Sequence, residues 1–487
     1  MEARVGDGTN TKRTTIEYAY SQPLEQYLYN LPKTVQLYDT DLATVIKKSV
    51  TEYNLDAAYV SRRIIGLPAE SQAWGWNDLT SSLELVSKVT FAYDEGNFSD
   101  SSLQQTISPV QHDSAGYGGS FAHRANPTST TRWDVTQPTN PSAAITTSTL
   151  RYNTAGSVVA STTPWDGTNS RTVRIGYADN WNSTPGASTY AYPTVVTDPA
   201  GSSLGASGHS STVKYRYDIG ANVEATSPAP AGNTHGKTTK RVFDSVGRLQ
   251  RDSVYVGTAE HSYVRYEHPA NGVQSKTYAP LVDVDGDGNI AEDEAYSESW
   301  HDGTGRVRMT RSTSPGSTGG WTATLTDYDT LGRVARQSVP SEVSVSGTTW
   351  TPAGDDATRG YLWTHQRYDW MGRVVRRINT DGDPQAGAND SDVFLEYGGC
   401  GCAGGLVTTM EGALVPRTDT TGNARRKTKS YADTLGRPFK TETFEWDGTT
   451  VYSTVLESYD GADRRVRTRQ YAGGGGQFNV PRHHSKF

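Results

Sequence analysis

The 487-residue chain has 53 acidic and 46 basic side chains and a formal net charge of −7. Nucleic acid is not expected as a partner, because phosphate binding needs clustered Lys and Arg, and here the charges are spread along the chain. No stretch approaches the roughly 20 apolar residues of a membrane-spanning helix, so this segment is not expected to insert into a membrane. Tyr outnumbers Phe by 28 to 9, and Tyr suits sheets that have one solvent-exposed face, because its ring can be buried while its hydroxyl stays hydrated. This balance predicts an all-β chain.

Residues 1–210 are predicted to form divergent β repeats with long loop insertions. Tyr93-Asp94 and Tyr152-Asn153 each precede a turn glycine, whereas Ser, Thr, Gly and Pro dominate the insertions over 101–141 and 179–211. Leu42 to Tyr53 has a short helix as its alternative, but its β-rich surroundings favour a strand.

Residues 211–470 contain six copies of one short pattern: an aromatic residue, Asp, two variable residues, Gly and Arg. The copies span Phe243 to Arg248, Trp300 to Arg306, Tyr328 to Arg333, Tyr368 to Arg373, the looser Tyr431 to Arg437 and the decayed Tyr459 to Arg464. They belong to units of about 20–30 residues, which is typical of stacked supersecondary repeats and not of one catalytic pocket.

Each copy predicts a β-hairpin tip. Asp favours the first position of a turn, and Gly at the fourth position adopts the positive φ that closes the hairpin. The aromatic residue before the turn ends one strand and the Arg after it starts the next, so the guanidinium is expected to lie within reach of both the carboxylate and that ring, for an ion pair and a cation–π contact. Structural roles, and no catalytic role, are therefore assigned to Asp244, Gly247, Arg248, Asp302, Gly305, Arg306, Asp329, Gly332, Arg333, Asp369, Gly372 and Arg373.

An acidic insertion at 283–294 matches the twelve-position calcium-loop template. Its predicted ligands are the carboxylates of Asp283, Asp285 and Asp287, the backbone carbonyl of Asn289, and both carboxylate oxygens of Glu294. The alternative is an acidic, Gly-rich loop in solvent. Because the preceding residues are strand-like, a single calcium ion is expected to brace a long hairpin loop and not to open a helical groove.

The remaining motifs predict little chemistry. Cys400-Gly-Cys402 cannot complete a tetrahedral zinc site alone and would strain a disulfide, so a tight Gly turn is expected, with metal or redox chemistry as the alternative. A second acidic loop, with Asp381, Asp383, Asp390 and Asp392, lacks calcium spacing. Five tryptophans either pack between strands or, if exposed, stack on sugars: Trp74, Trp76, Trp181, Trp321 and Trp350. Since no enzyme signature is found, the chain is not expected to be an enzyme.

With these motifs the chain resembles the Rhs/YD-repeat family of bacterial polymorphic toxins, toxin-complex shell proteins and animal teneurins. The resemblance is strongest from Tyr217 to Asp460, and Arg62 to Pro68 also resembles a segment common in such proteins. It implies tandem β-hairpin (YD) repeats in a sheet that spirals into a hollow β-shell, often around a toxic C-terminal domain. No match to the family's Asp-Pro-x-Gly core segment follows Asp460, so neither self-cleavage nor toxin activity is carried over.

The resemblance implies a structural segment of a large secreted or cell-surface protein, serving as scaffold or container. Its partner would be the remainder of a longer chain or an encapsulated effector. The alternative is an adhesin-like module that binds glycans or another cell's proteins. Residues 471–487 are expected to be an irregular, disordered tail, and the first residues lack the apolar core of a signal peptide, as in a fragment.

Overall fold

The computed structural model describes most of the chain with side chains. The described residues are 1–6, 11–18, 31–96, 106–136, 144–164, 169–180, 188–198, 209–270, 272–280, 294–346, 349–379, 391–398, 405–411, 427–445 and 447–473. Within these ranges nearly all regular structure is β-strand, and the helices are single turns: α1 (Ala57–Val60), α2 (Ser114–Tyr117) and α3 (Asp356–Arg359).

The strands of the first half are β1 (Glu2–Gly6), β2 (Thr11–Tyr18), β3 (Pro32–Tyr38), β4 (Val45–Tyr53), β5 (Pro68–Asn77), β6 (Ser82–Tyr93), β7 (Pro127–Trp133), β8 (Ala144–Tyr152), β9 (Val158–Pro164), β10 (Ser170–Gly176), β11 (Val195–Asp198), β12 (His209–Arg216) and β13 (Ala221–Thr226). The strand β4 occupies the stretch for which a helix was the alternative, so the strand prediction there is confirmed.

The strands of the second half are β14 (Lys237–Phe243), β15 (Leu249–Val256), β16 (Ala259–Glu267), β17 (Gln274–Pro280), β18 (Glu294–His301), β19 (Val307–Thr313), β20 (Trp321–Tyr328), β21 (Val334–Ser338), β22 (Ser341–Ser346), β23 (Thr349–Pro352), β24 (Trp363–Tyr368), β25 (Val374–Asn379), β26 (Ser391–Gly398), β27 (Gly405–Glu411), β28 (Lys427–Ala432), β29 (Pro438–Phe444), β30 (Val451–Tyr459) and β31 (Arg465–Ala472). The all-β prediction is therefore confirmed.

These strands form one antiparallel meander. Each strand from β1 to β20 pairs with the next along the chain. The sheet divides at β20, whose first residues pair with β22 and whose last residues pair with β21. The hairpin β22–β23 is a side branch, and β21 continues the main sheet through β24 to β31.

A β-bulge recurs where a strand meets a repeated turn. The register shifts at Phe243, His301, Tyr328 and Tyr368, each the last residue of its strand. A bulge adds one residue to one strand of a pair, which bends that strand and increases its twist. Register shifts also occur where strands end on the opposite edge, at Tyr38, Trp133 and Phe444, so bulges at both edges add to the bend and twist of the sheet.

The curved sheet winds back onto its own beginning. The backbone N–H of Asp78 donates to the carbonyl of Tyr459 at 3.0 Å, and the N–H of Tyr459 donates to the Asp78 carboxylate at 2.8 Å. The Thr434 hydroxyl donates to Asp39, which is fully buried, and Lys47 pairs with Asp463. The turns after β28 and β30 therefore rest on the turns after β3 and β5, as successive turns of a spiral do.

A wound single sheet encloses little apolar core. Few apolar side chains of the described residues are buried, among them Ile46, Val159 and Ile378. Within the described residues, the main apolar cluster is Ala323, Val343 and Trp350, where the β22–β23 branch packs against the sheet. No helix in the described part of the chain is long and apolar enough to cross a membrane.

The contact between successive turns of the spiral depends on two glycines, Gly75 and Gly461, which leave no room for a side chain. A methyl group on Gly75 would overlap the carbonyl oxygen of Gly461, which is backbone and cannot rotate away. We expect Gly75→Ala to lower the free energy of unfolding by about 1–3 kcal/mol, as overpacking does. Gly303→Ala is the control, because no atom lies within 4 Å of a methyl group there. Thermal unfolding followed by circular dichroism measures both; equal melting temperatures for the two variants would contradict the spiral contact.

Candidate functional sites: the repeated turn, Glu294 and a buried ion pair

In the repeated turn, one carboxylate accepts three hydrogen bonds. In the copy at Asp329, one carboxylate oxygen accepts from the backbone N–H groups of Leu331 and Arg333, each at 2.9 Å. The other oxygen accepts from Nε of Arg333 at 2.8 Å. The copies at Asp244, Asp302, Asp369, Asp433 and Asp460 repeat these contacts. The acid is thus committed to the turn, as predicted.

The glycine of the turn has the positive φ expected of it. The values are 86° at Gly247, 81° at Gly305 and 82° at both Gly332 and Gly372. In the sixth copy Asp463 replaces the glycine and adopts a φ of 63°, a conformation that Asp tolerates better than most residues. The turn geometry therefore persists where the motif has decayed.

The tyrosine before the turn is bonded to the preceding repeat. The hydroxyl of Tyr328 donates to the carbonyl of Val307 at 2.8 Å, and that of Tyr368 donates to Val334 at 2.8 Å. The N-terminal half makes the same contact, from Tyr53 to Pro32, Tyr93 to Pro68 and Tyr152 to Pro127. The sequence interpretation missed this bond; the 25-residue interval between Pro and Tyr in the last two pairs was its available signal.

The turn arginine lies over a ring, but the ring belongs to the following repeat. The guanidinium of Arg306 lies 4.4 Å from the ring centre of Tyr328, and that of Arg333 lies 4.5 Å from Tyr368. Arg373 over Tyr397 and Arg437 over Tyr459 are equivalent, at 4.4 and 4.6 Å. The predicted ion pair is present. The predicted ring was wrong: the guanidinium lies over the tyrosine of the following repeat and not over the aromatic residue before its own turn, so this contact joins neighbouring units.

These contacts shift the protonation of the turn carboxylates. The backbone N–H of Arg333 is the largest cause that holds the pKa of Asp329 below its usual range, and the Arg333 guanidinium adds to it. At Asp244, Asp302, Asp369 and Asp460 burial alone would raise the pKa, but hydrogen bonds from the same turn positions outweigh it and lower the pKa. The turns are therefore built for the ionised acid.

Glu294 is the one predicted calcium ligand within the described residues, and it already has partners. One oxygen accepts from the Tyr263 hydroxyl at 2.6 Å, and the other accepts from the guanidinium of Arg265 at 2.7 Å. Burial alone would raise the pKa of Glu294, but these hydrogen bonds outweigh it and lower the pKa. An ionised carboxylate offers the two oxygen ligands that calcium prefers. A bound calcium ion would, however, compete with Arg265 for the Glu294 carboxylate.

The other predicted positions of this kind lie outside the described residues. They are Asp283, Asp285, Asp287 and Asn289 of the calcium-loop sequence, Asp381, Asp383 and Asp390 of the second acidic loop, Cys400, Cys402 and Trp181. Among the residues that the structure does describe, no three His, Cys, Asp or Glu side chains are grouped as a metal site.

A buried ion pair, which sequence patterns did not indicate, joins β18 to β19. Glu298 and Arg311 lie 2.7 Å apart, and their side chains are 0% and 12% exposed. The carboxylate also accepts from Trp300 and Gln274, each at 2.8 Å, and from the Tyr296 hydroxyl. Burial alone would raise the pKa of Glu298, but these hydrogen bonds and the charge of Arg311 lower it.

The tryptophans proposed for sugar stacking lie in packed positions. Trp321 and Trp350 lie beside the Arg311 guanidinium, at 4.5 and 5.1 Å from their ring centres, and Trp350 is buried. Trp74 and Trp76 are half-buried, and the ring centre of Trp74 lies 5.6 Å from Nζ of Lys48. These contacts agree with the alternative that the rings pack between strands.

Comparison with known proteins gives a weak structural likeness. No protein-family model and no curated protein matches the sequence. Among solved structures, the TcdB2-TccC3 complex matches with a TM-score of 0.31 and 10% identity, over 94% of this chain and 24% of that one. TcdB2-TccC3-TEV and a Photorhabdus luminescens Tc holotoxin pore each match with a TM-score of 0.30 and 10% identity, over 96% of this chain and 24% of theirs. The chain thus spans about a quarter of these proteins, and scores of this size do not establish a common fold or role.

The lowered pKa of Asp329 predicts how one turn responds to acid. As pH falls below about 4, the ordinary Asp value, the unfolded chain binds protons more readily than the folded turn does, so the stability present above that pH is lost. Asn at this position would still cap the turn but would lack the charge. We therefore expect Asp329→Asn to destabilise the protein at pH 7 and to lose less stability than the wild type between pH 7 and pH 3.

Urea unfolding at both pH values measures this difference. Asp355→Asn is the control, because the Asp355 side chain makes no capping hydrogen bond. An Asp329→Asn variant with the full acid sensitivity of the wild type would refute the assignment of this carboxylate.

Proposed function

We propose that this chain is a wall segment of a hollow β shell, a scaffold or container of the Rhs/YD-repeat kind. The observation that supports this most is the hydrogen-bonded contact of Asp78 with Tyr459, which lie 381 residues apart in sequence. A sheet that meets its own earlier strands edge to edge surrounds a space, whereas a flat or barrel-closed sheet has no successive turns to stack.

The repeated turn supports the same role. Its acid and arginine hold the turn in all six copies, and Arg306, Arg333, Arg373 and Arg437 also lie over a ring of the next unit, so similar chemistry recurs along the wall. Repeat proteins of this kind gain stability from nearest-neighbour interfaces and extend by adding units. Such a segment would act with the remainder of a longer chain or around an enclosed effector, in a secreted or cell-surface protein.

Solution scattering tests the hollow wall. We expect the radius of gyration to exceed clearly the roughly 23 Å of a compact chain of this length, with a distance distribution skewed toward large separations. A value near 23 Å would exclude the shell. In parallel, specific binding on a glycan array would favour the adhesin alternative, in which the sheet surface and not the enclosed space is the functional part.

We propose further that the acidic segment 283–294 binds one calcium ion and braces the loop between β17 and β18. Glu294 supports this proposal, because it stands at the closing position of the calcium-loop template, where a bidentate carboxylate is needed. Asp283, Asp285, Asp287 and Asn289 would supply the remaining protein ligands. Calcium would supply structural cross-linking and no catalytic chemistry, so its effect would be on stability.

Isothermal titration and melting in calcium against EDTA test this proposal. We expect a dissociation constant on the order of 10⁻⁴ to 10⁻³ M, as in extracellular modules, and a higher melting temperature with calcium. Glu294→Gln should weaken binding, whereas Arg265→Gln should tighten it, since the guanidinium that competes for Glu294 is removed. Glu267→Gln, on the other side of Arg265, is the control. No heat and no melting shift would refute calcium binding.

A further inference from the structure

The side chain of Glu294 joins two strands that are not neighbours in the sheet. Glu294 is the first residue of β18 and pairs with Pro280 of β17. Its side-chain partners, Tyr263 and Arg265, lie on β16, on the other side of β17. The carboxylate therefore crosses one face of β17 to reach them. Tyr263 and Arg265 together are called the clasp.

The clasp uses both oxygens of the Glu294 carboxylate. Oε1 accepts from the Tyr263 hydroxyl at 2.6 Å, and Oε2 accepts from the Arg265 guanidinium at 2.7 Å. At the last position of the calcium-loop template, the glutamate binds the ion with both oxygens. A guanidinium and a calcium ion on one carboxylate would also repel each other as like charges. The clasp and calcium are therefore competing partners of Glu294.

Both side chains of the clasp have other contacts that do not involve Glu294. Arg265 donates to Glu267 at 2.5 Å, and its guanidinium carbon lies 3.7 Å from the ring centre of Tyr278. The ring centre of Tyr263 lies 4.0 Å from the guanidinium carbon of Arg251. These contacts keep the clasp in place when Glu294 leaves it, so Glu294 has two ordered alternatives.

We propose that the clasp is a calcium-sensitive switch, which holds β18 to β16 in the absence of calcium and is released when Glu294 binds the ion. The proposal rests on the calcium binding proposed above and adds the residues that respond to it. Since linkage is reciprocal, the clasp weakens calcium binding by the same factor by which calcium weakens the clasp. Calcium would thus change a contact in the sheet as well as brace the loop.

Isothermal titration of the full chain with calcium tests the competition. Tyr263→Phe keeps the ring and removes only the hydroxyl, so calcium affinity should rise about tenfold, as for the loss of one hydrogen bond to a charged group. Tyr278→Phe is the matched control, because the Tyr278 hydroxyl donates to Glu267 and not to Glu294, and it should leave the affinity unchanged. The double variant Tyr263→Phe with Arg265→Gln should bind more tightly than Tyr263→Phe alone.

A single label reports the release itself. With fluorotyrosine in place of Tyr263, the fluorine resonance should shift as calcium is added, with the same midpoint as the heat of binding. The same label in place of Tyr177, which donates to Val158 in an earlier repeat, should not shift. The label removes no contact of the clasp, so this measurement tests the switch even if a substituted variant does not fold.

The outcomes separate the switch from calcium binding. No heat of binding in the wild type or in any variant would overturn both proposals. Binding with an unmoved resonance at Tyr263, or with equal affinities for the wild type and Tyr263→Phe, would overturn the switch alone. Binding by the double variant and not by the wild type would support the switch, because the clasp would then hold Glu294 against the ion.

Discussion

The architecture depends on the turn arginine, which bonds its own repeat and the next one at the same time. Arg333 donates to the Asp329 carboxylate through Nε, and its guanidinium carbon lies 4.5 Å from the ring centre of Tyr368. Arg is suited to this because its planar, delocalised cation can pair with a carboxylate and stack on an aromatic ring together. A lysine could satisfy one partner but not both with the same geometry. The spacing of the repeats is thereby set by a side chain and not by a common core.

This explains how a long chain folds with so little buried apolar surface. In most domains stability comes from one hydrophobic core, and polar side chains are arranged around it. Here the described strands are mostly half-buried, and the recurring bonds are the tyrosine hydroxyl to the previous repeat and the arginine to the next. The exception is the branch at β20, where Ala323, Val343 and Trp350 form a local core and Trp350 lies beside Arg311 of the Glu298–Arg311 pair. That pair lies on β18 and β19, next to the fork at β20, and its carboxylate accepts hydrogen bonds from three neutral donors besides facing the arginine.

Features that depend only on residues close in sequence could be predicted from the sequence alone. Asp, Gly and Arg within six residues determine the turn, so the hydrogen bonds of Asp329 and the positive φ of Gly332 could be predicted. What could not be predicted depends on curvature, which is a sum over many strands. The bond between Asp78 and Tyr459 needs the accumulated bend of all strands between them, and nothing near either residue signals it. The ring predicted for Arg306 was the aromatic residue before its own turn; the ring that it contacts is Tyr328 of the next repeat, which depends on how adjacent hairpins align.

Because neighbouring strands of the meander run in opposite directions, an even or odd strand number determines the edge of the sheet on which the following turn lies. All turns that carry the Asp-Arg pair follow even-numbered strands, so they lie on one edge with their bulges and arginines. An evolutionary event that inserts or removes a whole hairpin leaves every later turn on its edge and changes only the length of the wall. An event that inserts or removes one strand moves every later turn to the opposite edge. The turn arginines on the two sides of the event would then lie on different edges, and the arginine before it could not reach the tyrosine of the next repeat. The hairpin is therefore the smallest unit by which such a sheet can grow, and the β22–β23 branch, itself a complete hairpin, obeys this rule by leaving the direction of β24 unchanged.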